Sequence, residues 1–451
     1  MIRAFLTKVG ILSNKSAKPG TADGGKPIII DRSQHGISRA NISENALKVL
    51  YRLHRHGYQA YLVGGGVRDL LLGLHPKDFD VVTNAKPEDI RRVFRNCRLI
   101  GRRFRLAHVY FGHDIVEVAT FRGKTDEQSE DLSHSEKGMI LRDNVYGTIS
   151  EDVWRRDFTL NSLYYNIADF SVVDYTGGYA DIKAKRLRMI GDASVRYRED
   201  PVRMLRAIRF ACKIGFEIPQ DLSQPMLELK ELISHVSPGR LFEEMMKMFH
   251  SGSAYPVYEQ LIKHQLFAEL FPATSDALKQ ASFPTHELLT IIFQNTDNRI
   301  QQQKTVTPSF IVAGLLWHPI CLQAQTHIDN GIAVFPARIQ AIEDLLRKQG
   351  QRISIPKRIV QGAREIWMLQ MRLVRRHGKR AQQLMMEPRF RAAFDFLELR
   401  ALAGEPVGEL VSWWKEYIEG DPAQRRELVK ALGFKKKKKK IRRKREEDPA
   451  T

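Results

Sequence analysis

Cysteine, long apolar runs and acidic charge are all scarce in this 451-residue chain. Its three cysteines, Cys97, Cys212 and Cys321, lie more than 100 residues apart, which excludes a disulfide framework and a CxxC metal site alike. That usage points to a reducing compartment, and a cytoplasmic location is expected. The longest apolar stretch, residues 310–317, is 8 residues long and contains a glycine. A bilayer-spanning helix needs about 20, so a soluble protein without a transmembrane segment is expected. Residues 1–20 have scattered Arg and Lys but neither a continuous apolar core nor a small-residue cleavage site, and do not read as a secretory signal. Acids number 52 against 72 Lys and Arg, leaving a net charge of +20 and a pI near 9.8. Hydrophobic residues make up 43%, enough for packed cores, so a wholly disordered chain is excluded; the length suits two to four domains of roughly 150 residues.

What is present in excess is clustered. Residues 435–445 contain ten Lys and Arg, among them Lys435, Lys436, Lys437, Arg442 and Arg443, and with the three acids that follow the tail contributes +7. Residues 91–105 hold seven arginines and no acid, including Arg102, Arg103 and Arg105. Subtracting 7 for each segment from 20 leaves only +6 for the rest of the chain. A further group, Arg372, Arg375, Arg376, Lys379 and Arg380, stands close in sequence to Trp367. A dispersed excess is a solvated surface, whereas clusters of this kind are the footprint of a polyanion partner, most commonly nucleic acid.

Residues 1–36, rich in Gly, Ser, Lys and Pro, read as a disordered segment. The spacing of Ala46, Leu47, Leu50 and Leu53 predicts a helix ending at Gly57, and residues 58–63 a buried strand. Strands are also predicted over 78–82, 107–111, 115–121, 171–175 and 187–190, with a helix over 87–94. From Pro201 to about Leu432 the pattern is helices joined by short loops, and the Lys/Arg tail is too polar to bury anything. The reading is an α+β module followed by an all-α half.

The sharpest local feature is Asp78-Phe79-Asp80, since alternate strand residues share a face and the two carboxylates would converge. Hard oxygen ligands at this spacing suit Mg²⁺, which binds one or two carboxylates and keeps positions for water and phosphates. Fourteen residues upstream begins Gly64-Gly65-Gly66-Val67-Arg68-Asp69, where glycines permit close backbone approach to phosphates and Arg68 adds charge. Phosphate cradle and metal pair together suggest a nucleotide site. Downstream, Arg203, Arg206 and Arg209 recur at three-residue spacing beside an apolar stripe of Val202, Leu205 and Ile208. Guanidinium forks of that kind reach phosphates or base edges. Asp157, in Arg155-Arg156-Asp157-Phe158-Thr159-Leu160-Asn161, reads either as a site acid or as the N-cap of a helix carrying Leu160, Leu163 and Tyr164.

The ordered set Gly64-Gly65-Gly66-Val67-Arg68-Asp69, Asp78-Phe79-Asp80, Arg155-Arg156-Asp157-Phe158-Thr159-Leu160-Asn161-Ser162 and Glu199-Asp200-Pro201-Val202-Arg203-Met204-Leu205-Arg206-Ala207 resembles the motif series of class II nucleotidyltransferases. That family holds the bacterial poly(A) polymerases and the CCA-adding tRNA nucleotidyltransferases. Residues 99–109 resemble the poly(A) branch. The resemblance implies a polymerase β-like head with a mixed sheet over 37–190, a helical neck over 191–255 that binds nucleotide and RNA, a helical RNA-binding body over 256–432 and a basic disordered tail over 433–451. It implies a template-independent transfer of AMP from ATP to RNA 3′ ends, with CCA addition and a non-catalytic RNA-binding scaffold as alternatives. Asp78 and Asp80 would hold two Mg²⁺ ions, with Asp157 the third acid and Glu117, on a neighbouring strand, its geometric rival. Gly65, Arg68, Arg156, Asp200, Arg203 and Arg206 match nucleotide-binding positions, Asp200 and Arg203 as readers of the base edge. The partners implied are ATP, RNA 3′ ends and RNA-decay proteins, with a monomeric chain promoting RNA turnover.

Overall fold

Ser43 opens the first long helix, α1 (Glu44–Arg55), by accepting a hydrogen bond from the Ala46 amide at 3.1 Å. The apolar stripe read from the sequence lies on it, with Ala46, Val49, Leu50 and Leu53 buried, and the chain leaves it through Gly57 at φ +83°. The computed structural model describes residues 25–101, 105–123 and 145–433, and the backbone of 133–134 and 140–142. The chain divides into two compact units, Met1–Val236 with Gln260–Leu266 and Ser237–Glu259 with Phe267–Thr451.

The first unit is built on a mixed sheet. Its strands are β1 (Ile28–Ile30), β2 (Ala60–Val63), β3 (Asp80–Thr83), β4 (Cys97–Ile100), β5 (Leu106–Phe111), β6 (Asp114–Thr120), β9 (Leu163–Asn166) and β10 (Val172–Asp174), while β7 (Ser133–His134) and β8 (Ile140–Arg142) form a separate ribbon. The eight strands run in the order β1-β10-β9-β2-β3-β6-β5-β4. Only β3 and β6 are parallel neighbours, with Val81 opposite Val118. The helices of this unit include α2 (Gly65–Leu71), α3 (Pro87–Val93), α4 (Ile149–Trp154), α5 (Gly178–Lys183), α6 (Ala193–Glu199) and α7 (Val202–Ile214). On one face of the sheet Val63, Val82, Phe121, Val153, Tyr164 and Val173 form a buried cluster, and the carboxylates of interest stand at its polar end.

Several local expectations change. Residues 28–30, read as disordered, form β1 and pair with β10, burying Ile30 while Ile28 and Ile29 stay exposed at the sheet edge. Leu160, Leu163 and Tyr164 do not share a helix: residues 159–161 make a single 3-10 turn, and β9 then enters the sheet between β10 and β2. Residues 187–190 form no strand, only an isolated bridge between Phe158 and Met189. Within the arginine run, residues 97–100 are the edge strand β4.

In the second unit, the described residues are helical with short connections, the longest helix running Pro308–Asp329. No described helix is long and apolar enough to cross a membrane. Trp367, expected beside a cationic patch, is 1% exposed and donates its indole N–H to the Ala313 carbonyl at 3.0 Å. It is a core residue.

Candidate active site

The glycine triplet is the turn between β2 and α2. Gly64 leaves the strand at φ +74°, ψ −138°, a conformation that side-chain-bearing residues rarely adopt. A Cβ there would meet Asp80 Oδ2 at 3.8 Å and Arg156 Nη1 at 3.9 Å, and one at Gly66 would stand 3.3 Å from the Asp78 carbonyl oxygen. The backbone turn, the Asp80 carboxylate, the Asp78 main chain and Arg156 are thus brought together. Asp80 is the first residue of β3, opposite Val63, while Asp78 lies just before the strand; both are exposed. Extending the β3–β6 register by one residue sets Glu117 beside Asp80 on the same face. Glu117 is half-exposed, with His108 Nε2 3.5 Å from its Oε1.

Arg156 is held by residues that sequence reasoning missed. Asp152 Oδ2 accepts from Arg156 Nε at 3.1 Å, from Arg156 Nη2 at 2.9 Å and from the Tyr164 hydroxyl at 2.6 Å, and Arg156 Nε also donates to that hydroxyl at 2.8 Å. Burial pushes the Asp152 carboxyl up, but Arg156 and Tyr164 outweigh it and hold the group below its ordinary value. Burial alone would lower Arg156, yet Tyr164 and Asp152 raise it above the usual guanidinium range. The four-residue spacing from Asp152 to Arg156 was a signal for this pair. Tyr164 could be found only once its strand was recognised.

The other family positions split into inward and outward groups. Arg68, expected in a phosphate cradle, is 2% exposed. Its Nε and Nη2 donate to Asp69 Oδ1 at 2.8 and 2.6 Å and its Nη1 to Asn161 Oδ1 at 2.8 Å. The structure therefore makes it a pin beneath the turn, because a guanidinium so enclosed has no path to a ligand; Gly65, whose Cβ would lie 3.4 Å from Arg68 Nη2, is small where the pin passes. Asn161 Nδ2 reaches Asp157 Oδ1 at 3.4 Å, Arg206 Nε donates to Asp157 Oδ2 at 2.7 Å, and Lys213 Nζ donates to Asp69 Oδ2 at 2.9 Å. Arg206 and Lys213 lie two turns apart on α7, so the helix is tied to the glycine turn at both ends of one polar chain. Asp157, 8% exposed, also accepts from the Phe158 amide at 2.8 Å. Burial works against its charge, but Arg206 and these donors bring its pKa down to about 2.

Arg203 shares the Glu199 carboxylate with Arg196, each at 2.8 Å. Arg196 Nη2 also donates to the Arg155 and Arg156 carbonyls at 2.9 and 2.6 Å. Burial, then repulsion from Arg122, Arg196 and Arg203, brings the Arg155 guanidinium down to about 10. Arg122, Arg155, Arg196 and Arg203 thus lie close enough to repel one another. Asp200 precedes α7 and accepts from the Val202 amide at 3.2 Å. Of the arginine run, Arg105 pairs with Glu88 at 2.7 Å and Arg98 lies over the Tyr110 ring, both exposed at the β4–β5 edge. Arg102, Arg103, Lys435, Lys436, Lys437, Arg442 and Arg443 lie outside the described residues.

A mixed sheet that sets two exposed carboxylates against a glycine turn, continued by helices, is the architecture of a nucleotidyltransferase. Solved structures agree: an apo CCA-adding enzyme superposes with a TM-score of 0.59 at 21% identity over 87% of each chain. A Bacillus stearothermophilus CCA-adding enzyme in complex with CTP gives 0.54 at 24%, over 82% of this chain and 80% of that one. Three family descriptions match, the poly A polymerase head domain over 60–188, a probable RNA and SrmB-binding site of polymerase A over 215–278, and the polymerase A arginine-rich C-terminus over 330–448. The chain is 49% identical over 411 residues to poly(A) polymerase I of Salmonella typhimurium, 90% of this chain and 88% of that one. It is 43% identical to poly(A) polymerase I of Haemophilus influenzae, over 89% and 90%. A CCA-adding enzyme of Bacillus pumilus is 35% identical over 53% of this chain. The chain belongs to the poly(A) polymerase family.

Proposed function

We propose that this protein extends RNA 3′ ends with AMP units taken from ATP, without a template and with release of pyrophosphate. The observation that carries the chemistry is the meeting of Asp80, the Gly64 backbone and Arg156 within about 4 Å of one point. Acids and cation at that distance serve opposite ends of one triphosphate, and the backbone between them leaves room for it. The high identity to poly(A) polymerases over nearly the whole chain supports A addition over CCA addition, since the CCA-adding relatives match over about half of it.

The donor set fits Mg²⁺. Among the described residues no three His, Cys, Asp or Glu side chains form a metal cluster by themselves, and two exposed carboxylates completed by water and substrate phosphates are what this ion accepts. Asp78 and Asp80 would hold it, as two ions; when bound it supplies a more acidic RNA 3′-hydroxyl and neutralises phosphate charge. Glu117, in register with Asp80, is a better-placed third acid than Asp157, whose oxygens are engaged by Arg206, Asn161 and Phe158. Arg156, steadied by Asp152 and Tyr164, faces the phosphates, and the cationic group around Arg155 and Arg203 attracts the nucleotide. Asp200 and Arg203 read the adenine edge, where a wrong base leaves polar groups unpaired. Residues 215–278, the arginine run and the tail contact RNA.

Incubating a 3′-hydroxyl RNA with each nucleotide separately tests the reading. Long A tracts without CTP support it; three residues ending in CCA would sink it. A wild-type protein that leaves the RNA unextended with Mg²⁺ and ATP, no differently from Asp80→Asn, would favour a non-catalytic scaffold.

A further inference from the structure

The second unit contains a cleft of about 610 Å³ that the reaction does not use. Its size falls in the range of small-molecule sites, roughly 300 to 1,000 Å³. Its lining includes the apolar Phe283 and Pro284, the buried Trp317, and three arginines, Arg338, Arg376 and Arg400. Arg400 is fully employed. Its Nε and Nη2 donate to Glu405 Oε2 at 3.0 and 2.7 Å, its Nη1 to Gln370 Oε1 at 2.8 Å, and its guanidinium covers the Trp317 ring at 4.4 Å. Glu405 is equally employed, its Oε1 accepting from Trp317 Nε1 at 3.1 Å with His318 Nε2 at 3.0 Å.

The remaining two cations are not satisfied in this way. Arg338, half-buried on the helix Val334–Arg352, makes no hydrogen bond or ion pair among the described residues. Arg376 is stacked over the Trp413 ring at 5.0 Å, and its buried Nη1 has no acceptor. Glu409, the other acid of the wall, is hydrogen-bonded to neither. An orphaned guanidinium nitrogen costs free energy that an anionic acceptor would recover. One buried orphaned nitrogen on Arg376 and one unpaired, half-buried Arg338 in a cleft also lined by Phe283 and Pro284 match a ligand with a phosphate at one end and an aromatic ring at the other.

We propose that this cleft binds a nucleoside phosphate unit, its phosphate on Arg338 and Arg376 and its base against Phe283 and Pro284. The choice of nucleotide over other anions rests on the polyadenylation reading. The unit is either part of the RNA chain or a free nucleotide, and the two are separable by experiment. Full-length protein and the variants Arg338→Gln and Arg376→Lys are titrated with a fluorescent oligo(A) and, separately, with AMP. Arg338 has no partner to strand, so its replacement leaves the fold intact, as a thermal melt verifies. If the unit belongs to RNA, Arg338→Gln weakens oligo(A) binding about tenfold, the scale of one charge-assisted hydrogen bond, and lowers the logarithmic salt slope by about 0.7. The KM for ATP on saturating primer does not move. If it is a free nucleotide, AMP affinity falls and oligo(A) affinity holds. Unchanged affinity for both ligands in both variants overturns the proposal. Failure of the wild type to add AMP would refute the polymerase reading alone, because the cleft is judged by binding.

Discussion

Gly66→Ala separates the two duties of the glycine turn. Gly66 lies inside α2, where alanine is favoured by about 1 kcal/mol. Against this, the new methyl would stand 3.3 Å from the Asp78 carbonyl oxygen and 3.7 Å from Phe79 Cδ1. The crowded atom is backbone, so relief moves the Asp78 main chain by a few tenths of an ångström instead of swinging a side-chain tip. Stability should stay within about 1 kcal/mol of wild type, since propensity and crowding oppose each other. Activity should not. A misplacement of about 1 Å costs on the order of 100-fold, and a third of that displacement about fivefold to tenfold in kcat for AMP addition. Gly64→Ala should behave oppositely: its Cβ has room, 3.8 Å from the nearest atom, but φ +74° with ψ −138° imposes about 1–3 kcal/mol of backbone strain. Thermal melts and single-nucleotide primer extension on both variants decide the matter. A Gly66→Ala enzyme with kcat within twofold of wild type, at unchanged melting temperature, would refute the claim that this turn places Asp78.

Asp157 is depressed to about 2 from an ordinary 3.8, so its stabilising effect is complete above about pH 4 and vanishes as pH falls towards 2. The shift is equivalent to about 2 kcal/mol; melts of wild type and Asp157→Asn should differ by that amount at pH 6 and by about a third of it at pH 2.5, and a constant difference would contradict the ion-pair account. Asp152→Asn removes the acceptor shared by Arg156 and Tyr164, which should destabilise the first unit by about 2–4 kcal/mol and raise the KM for ATP; an unaltered KM in a folded variant would detach Arg156 from the nucleotide. Deleting residues 435–451 removes ten cations, and RNA affinity should become less salt-dependent by about 0.7 per lost phosphate contact while the KM for ATP holds. An unchanged slope would show that this segment does not touch RNA.

Asp80 was legible as the opening residue of a strand beside the glycine turn, whereas Asp78 lies before β3, outside the period-of-two reading. The helical half was legible because its apolar spacing is long and regular. Arginine direction was not. Arg68 and Arg156 are the same residue type, both in motifs read as phosphate-binding, yet one is sealed beneath the turn and the other stands beside Asp80. What separates them is tertiary: Asp69 and Asn161 enclose the first, whereas Asp152 and Tyr164 grip the second from behind. Likewise the alternative of a helix carrying Leu160, Leu163 and Tyr164 satisfied a helical spacing locally, while pairing of β9 on both sides by β2 and β10 decides the outcome.

The polar chain from Lys213 through Asp69, Arg68, Asn161 and Asp157 to Arg206 carries a further consequence. It ties α7 to the glycine turn at two points, so the helix bearing Arg203, proposed above as a base reader, cannot shift without disturbing that turn. In the proposed reaction, one rigid body would thereby set the positions of both the nucleotide's base and its phosphates. Substitutions along that chain must then lower stability and activity together, whereas Gly66→Ala, which crowds only the Asp78–Phe79 segment, lowers activity alone. The ratio of the two losses therefore distinguishes a residue that builds the site from one that works in it.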